Sequence, residues 1–167
     1  MKIARGQRVP DFELIDQTGA PFRMSDVEGQ VVALTFIYTR CPLPEFCPRA
    51  LANFAALRDR FKTRMGRDLM LLTITLDPTY DTPERLHEYA MNAGAGGASW
   101  RFLTGTPTAI DGVRAVFGVE AWPEEGVLTH DVVTVLIDRK GRFAARFAGP
   151  RQSIRRVGDA IGRLLKS

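Results

Sequence analysis

Val31-Val32-Ala33-Leu34-Thr35-Phe36-Ile37-Tyr38-Thr39-Arg40-Cys41-Pro42-Leu43-Pro44-Glu45-Phe46-Cys47-Pro48 is the stretch on which the fold turns. Its first eight residues are apolar almost throughout and rich in β-branched and aromatic side chains. That composition predicts a central strand covered on both faces rather than one with a wet side. Cys41 follows the C-terminal end of this strand. Beyond a loop broken by Pro42 and Pro44, Leu51, Phe54, Ala55, Leu57, Arg58 and Phe61 recur at helical spacing from about Pro48 to about Arg64. Pro48 suits a first helical turn, where no backbone N–H is needed, so Cys47 stands at or beside a helix N-terminus.

Working outward, Pro10 to Asp16 alternates as a strand, Gln17-Thr18-Gly19-Ala20 makes a turn, and a second extended piece follows near Phe22 and Met24, which together predict an N-terminal hairpin. A second buried strand spans Leu69 to Leu76 and runs into Asp77-Pro78-Thr79-Tyr80-Asp81. Thr82 can then cap a helix that opens with Pro83 and Glu84. Trp100 to Leu103 reads as a short strand and Ala109 to Phe117 as a short helix. Val132 to Asp138 and Phe143 to Phe147 flank the turn Arg139-Lys140-Gly141-Arg142, and Ile154, Val157, Ile161, Leu164 and Leu165 form one stripe of a terminal helix. The class is therefore α/β. With the opening hairpin set aside, the order is that of a thioredoxin-like fold with an N-terminal β-hairpin extension. In such a sheet, reactive groups collect beyond the C-terminal ends of the parallel strands, where Cys41 and Cys47 lie.

No repeat, low-complexity segment or linker divides the 167 residues, so the expectation is a single domain over 1–167, with 1–9 a flexible N-terminal segment. A chain of this size buries enough apolar surface to fold without disulfide or metal staples. Its two cysteines, six positions apart, are better explained by shared chemistry than by scaffolding. The formal charge of +4 is concentrated from residue 139 onward, where nine basic residues face only Asp159. A solvated helix face accounts for this. An acidic partner or membrane surface would also suit it, whereas nucleic-acid binding lacks any accompanying motif. No apolar run approaches a membrane span and no signal peptide is visible at Met1 to Arg5, so a leader or tether is expected to lie outside this chain.

A helix N-terminus favours thiolate, as do the nearby Arg40 and Arg49, so both cysteines are expected to be more acidic than ordinary thiols. Thiolate serves redox and metal chemistry alike. A plain disulfide closing the loop Pro42 to Phe46 fits the spacing but leaves the stiff, exposed loop unexplained. A thioredoxin-type oxidoreductase would need Cys-x-x-Cys and a proline where Val132 stands. A peroxiredoxin would need a proline and a threonine or serine ahead of its cysteine, where Leu34 and Tyr38 stand, and a structural zinc site would need four ligands. His130 lies in the loop before the antiparallel strand, which in this fold packs beside the cysteine loop. Cys41, Cys47 and His130 together make a soft, low-coordinate set suited to Cu(I) that could also accept Cu(II). His87, inside the Glu84 to Asn92 helix, reads as a solvated residue.

Several motifs in order resemble the Sco/SenC family of thioredoxin-like copper chaperones. They are Phe36 to Pro42 with Cys47-Pro48, Thr75-Leu76-Asp77-Pro78 with Asp81-Thr82-Pro83-Glu84, Trp100 to Gly105, and His130 ahead of Val135-Leu136-Ile137-Asp138. The resemblance implies metal ligation by Cys41, Cys47 and His130. It also implies loop-ordering roles near the metal for Asp77 and Asp81, which could equally cap turns. Its implied function is delivery of copper for cytochrome c oxidase assembly, at the binuclear copper centre. The partners would be an oxidase subunit or another copper protein and a copper donor chaperone, and the setting a periplasmic or membrane-anchored one in a bacterium. The family spaces its cysteines by three residues and this chain by five, which bears on copper affinity, on oxidation-state preference and on disulfide potential. The rival function is a thiol-disulfide reductase in which one of Cys41 and Cys47 attacks and the other resolves. A redox or copper sensor is a third.

Overall fold

The computed structural model describes residues 3–124, 127–130, 132–149 and 152–167, the side chains of residues 122–130 lying outside that description. In chain order the elements are β1 (Glu13–Asp16), β2 (Pro21–Arg23), a 3-10 turn (Met24–Val27), β3 (Val31–Ile37), α1 (Cys47–Arg60), β4 (Leu69–Thr75), α2 (Pro83–Asn92), β5 (Trp100–Thr104), α3 (Pro107–Phe117), β6 (Ala121–Glu124), β7 (Val127–His130), β8 (Val133–Ile137), β9 (Phe143–Ala148) and α4 (Ile154–Lys166).

All seven residues of β3 and all seven of β4 are buried. The two strands pair in parallel, Val31 opposite Leu69 through Ile37 opposite Thr75. Alternation then divides their side chains between two apolar layers. Val32, Leu34 and Phe36 join Met70, Leu72 and Ile74 on the face covered by α3, through Ile110, Val113 and Phe117. Val31 and Ala33 join Leu69 and Leu71 on the face covered by α1, α2 and α4, through Phe54, Leu57, Leu86, Val157 and Ile161. Both faces are thus roofed by helices, as the unbroken apolar runs require.

The main sheet has seven strands in the order β2-β1-β5-β4-β3-β8-β9. β8 runs antiparallel to β3, with Ile137 opposite Val32 and Thr134 opposite Thr35. The N-terminal hairpin joins the far side, β1 pairing antiparallel with β5. This is the thioredoxin-like arrangement with its hairpin extension.

Two local features differ from the sequence reading. Met24 leaves the extended hairpin for the 3-10 turn, because the Arg23 amide donates to Asp26 Oδ2 at 2.9 Å and the Ser25 amide to Asp11 Oδ1 at 2.8 Å. β6 and β7 form a separate two-stranded hairpin, Ala121 opposite His130, with no apolar alternation to announce it. In the opening segment the amides of Ile3, Gly6 and Val9 donate to the carbonyls of Val116 at 2.8 Å, Phe143 at 2.8 Å and Gly141 at 2.9 Å. Among the described residues no helix is long and apolar enough to cross a membrane.

Candidate functional site

β3 ends at Ile37, and its rigid burial fixes where the next residues start. The Cys41 amide donates to the Tyr38 carbonyl at 3.2 Å, curling the chain sharply off the strand. A second turn, Phe46 amide to Leu43 carbonyl at 3.1 Å, closes the proline loop and delivers Cys47 as the first residue of α1. The five-residue spacer therefore folds back on itself and brings the two sulfurs within hydrogen-bonding reach of each other. They are thiols, not a disulfide.

Their environments differ. Cys47 is fully buried with Ile37, Tyr38 and Ala50, while Cys41 is half-buried and packs against this small cluster together with Tyr89 of α2. The Cys41 thiol points toward the Leu43 carbonyl at 3.8 Å. The expected acidity fails at Cys47. Its hydrogen bond with the Cys41 sulfur and then its burial push the thiol well above its ordinary range, against a smaller lowering by the Tyr38 backbone. Loss of hydration and a sulfur neighbour outweigh the partial charge of the helix end here. Tyr89 is pushed upward as well, first by burial and then by the sulfurs of Cys47 and Cys41 and the Asp81 carboxyl, which places its phenol in the same field.

Asp81 is fully buried. One oxygen, Oδ2, accepts from the Thr39 amide at 3.1 Å and from the Thr75 hydroxyl at 2.6 Å, while the Thr39 hydroxyl donates to Oδ1. The carboxyl thus pins the residues just before Cys41 to the end of β4. Asp77 serves the outer side of the same loop: its Oδ2 accepts from Arg40 Nε at 3.0 Å and Arg40 Nη2 at 2.7 Å. That bond holds the Arg40 guanidinium in its charged form above the usual arginine range. Arg40 also lies over the Tyr80 ring with its guanidinium carbon 4.0 Å from the centroid, and Arg85 of α2 does the same at 4.0 Å. Both guanidiniums thus pack on the one ring.

The backbone of His130 ends β7, across from Ala121. β8 runs against β3 with Thr134 opposite Thr35, so β8 begins near the C-terminal end of β3. The imidazole itself lies outside the described residues. Among those residues no three His, Cys, Asp or Glu side chains gather into a metal-sized group. His87 is exposed on α2 and lines a separate cavity of about 570 Å³ with Asp16, Met91 and Arg101.

Sequence reasoning missed Thr39, Thr75, Tyr80, Arg85 and Tyr89 as contributors. Thr39 could have been flagged as the one threonine or serine between strand and cysteine. Thr75 meets the loop only once β3 and β4 pair, and Tyr80, Arg85 and Tyr89 only once the chain after β4 folds against it.

The arrangement offers two adjacent sulfurs, one accessible and one buried, on a loop braced from both sides. The SCO1/SenC family model matches residues 2–166. A SCO2-like protein of Rickettsia felis is 31% identical over 144 residues, covering 82% of this chain and 67% of its own length. The structure of Arabidopsis thaliana ScoI with copper bound superposes with a TM-score of 0.80 at 25% identity, covering 96% of this chain and 99% of that one. That of a SCO1/SenC family lipoprotein from Bacillus anthracis gives a TM-score of 0.82 at 26% identity, covering 94% of each. With a family match along nearly its whole length and the strand order and cysteine loop just described, the chain belongs to the SCO1/SenC family.

Proposed function

We propose that this protein is a copper-binding metallochaperone that holds one Cu(I) through Cys41, Cys47 and His130 and passes it by ligand exchange to a copper centre of cytochrome c oxidase, the binuclear one. The observation that carries this reading is the pair of sulfurs, drawn into contact by the folded spacer with only Cys41 reaching the surface. Two soft donors so placed fit Cu(I), and binding would displace their protons. The copper-bound Arabidopsis thaliana structure, alike in fold, supports the cargo. The difference in exposure makes Cys41 the sulfur that meets the partner and Cys47 the one that retains the ion until transfer completes. A copper donor would load the site by the same route. The lipoprotein relative supports membrane anchoring, and copper delivery to the oxidase would set the anchored protein on the periplasmic side of a bacterial membrane.

Anaerobic Cu(I) titration of the reduced protein tests this. Wild type is expected to bind one equivalent, and Cys41→Ser, Cys47→Ser and His130→Ala to weaken binding by roughly tenfold or more. Unchanged affinity in His130→Ala removes the imidazole from the ligand set, and no binding by wild type overturns the copper reading.

The hydrogen-bonded pair favours a second reading, a thiol-disulfide reductase acting on the cysteines of an oxidase subunit. The exposed Cys41 would attack and the buried Cys47 would resolve. Turnover of a disulfide that survives His130→Ala and vanishes in either cysteine variant would establish it.

A further inference from the structure

Arg40, Tyr80 and Arg85 are grouped around one ring, and Arg40 is the residue that precedes the half-buried Cys41 in the chain, one Cα step of ~3.8 Å away. A tyrosine ring attracts one cation over its face, and here it holds two. Asp77 compensates Arg40. Arg85 has no carboxylate partner among the described residues, and its Nη1 is turned inward onto the Tyr80 carbonyl at 2.8 Å, which fixes the guanidinium plane. The Arg40 side chain is 56% exposed and Arg85 is exposed as well. Nε and Nη2 of Arg85 and Nη1 of Arg40 make no protein hydrogen bond among the described residues. The result is a pre-ordered set of N–H donors in which Asp77 answers Arg40 and the Asp81 carboxyl is already engaged by Thr39 and Thr75, so that the outward-facing donors are those of Arg85 and one of Arg40. A guanidinium held flat in this way suits a carboxylate, which it can grip through two parallel bonds.

We infer that the Arg40-Tyr80-Arg85 stack is a carboxylate-recognition site that selects, among the sulfur-bearing partners Cys41 can engage, a protein whose cysteine is flanked by Asp or Glu. This rests on the reading of Cys41 as the sulfur that meets the partner, which copper transfer and thiol exchange share.

Exchange with small disulfides isolates the effect. The Cys41 thiolate attacks one sulfur of the disulfide, so that a Cys41–S bond forms, the S–S bond breaks and one thiolate leaves. Cys47 then displaces the second sulfur and forms the Cys41–Cys47 bond. The protein dithiol loses two electrons, the disulfide gains them, and the two thiol protons leave on the two released thiols.

The measurement is the rate of reaction of reduced protein with 3,3′-dithiodipropionate, a dianion, and with 2-hydroxyethyl disulfide, which is neutral, each divided by its rate with 2-mercaptoethanol. The ratio of the two normalised rates cancels any change in how much of Cys41 is thiolate. At low ionic strength it is expected to be about ten in wild type and to fall about threefold in each of Arg85→Gln and Arg40→Gln. It should approach one in high salt and invert for cystamine, a dication. Tyr80→Leu, which keeps both charges and removes the ring that orders them, should also lower the ratio. A ratio near one in wild type, or one unchanged in both arginine variants, overturns the inference. Lack of reaction with the neutral disulfide as well would overturn the reading of Cys41 on which it rests, so the two failures are told apart.

Discussion

Asp81 gathers three donors, two from Thr39 and one from Thr75, and its position inside the protein makes each of them dependent on it. In Asp81→Ala the Thr39 amide, the Thr39 hydroxyl and the Thr75 hydroxyl lose their acceptor where water does not replace it. The expected cost is about 3 kcal/mol, read as a lower urea midpoint, and Asp81→Asn, which keeps one acceptor oxygen, should cost less. Equal midpoints for wild type and Asp81→Ala would contradict the bracing role. This residue was only half legible beforehand: its place near the site came from resemblance, while its partner Thr39 is 42 positions away and becomes a neighbour only once β3 and β4 pair. Cys47 shows the opposite limit. Its seat at a helix N-terminus was readable, but the direction of its acidity was not, because burial and the second sulfur are products of the folded loop.

At the scale of elements, β3 and β4 were plain in the sequence because strands buried on both faces must be apolar on both, and α4 because its stripe has a single period. The β6–β7 hairpin was not, since four-residue strands pairing only with each other impose no such pattern. Helix starts lie between these cases. Thr82 was expected to cap α2, and its hydroxyl accepts from the Arg85 amide at 3.3 Å. That cap matters for the site, because the first turn of α2 carries Arg85 and follows directly on Asp81. Thr82→Ala should cost about 1 kcal/mol and lower the melting temperature by roughly 2–4 °C in a calorimetric scan. A loss no larger than that of Thr79→Ala, on the exposed turn just before, would show the cap to be idle.

Over the whole molecule, one carboxylate ties together parts remote in the chain. Asp68 accepts from Arg64 at 2.7 Å, Arg67 at 2.9 Å and Arg139 at 3.3 Å, and Arg139 also reaches the Leu165 carbonyl at 3.1 Å near the end of α4. Arg64 first, then Arg67, and Arg139 with them hold its carboxyl far below the ordinary range. The unfolded chain therefore binds more protons than the folded one from the ordinary value of about 4 downward, so stability rises with pH through that window. Asp68's contribution is complete above the window and is lost as pH falls through it. Between pH 7 and pH 3 the urea midpoint of Asp68→Asn is expected to drop less than that of wild type, and an identical drop would exclude Asp68 as a source of acid sensitivity. The sheet order carries a different consequence, one for biosynthesis. β3 receives β4 from nearby in the chain, but its other edge is closed only by β8, roughly a hundred residues later. Closing so long a loop is entropically slow. While the chain is being made, β3 waits with one apolar edge unpaired, a template for any other strand. A chain that stops short of Val133 keeps its two cysteines but exposes that edge, and its fate is aggregation or capture by a holding chaperone rather than a smaller working protein.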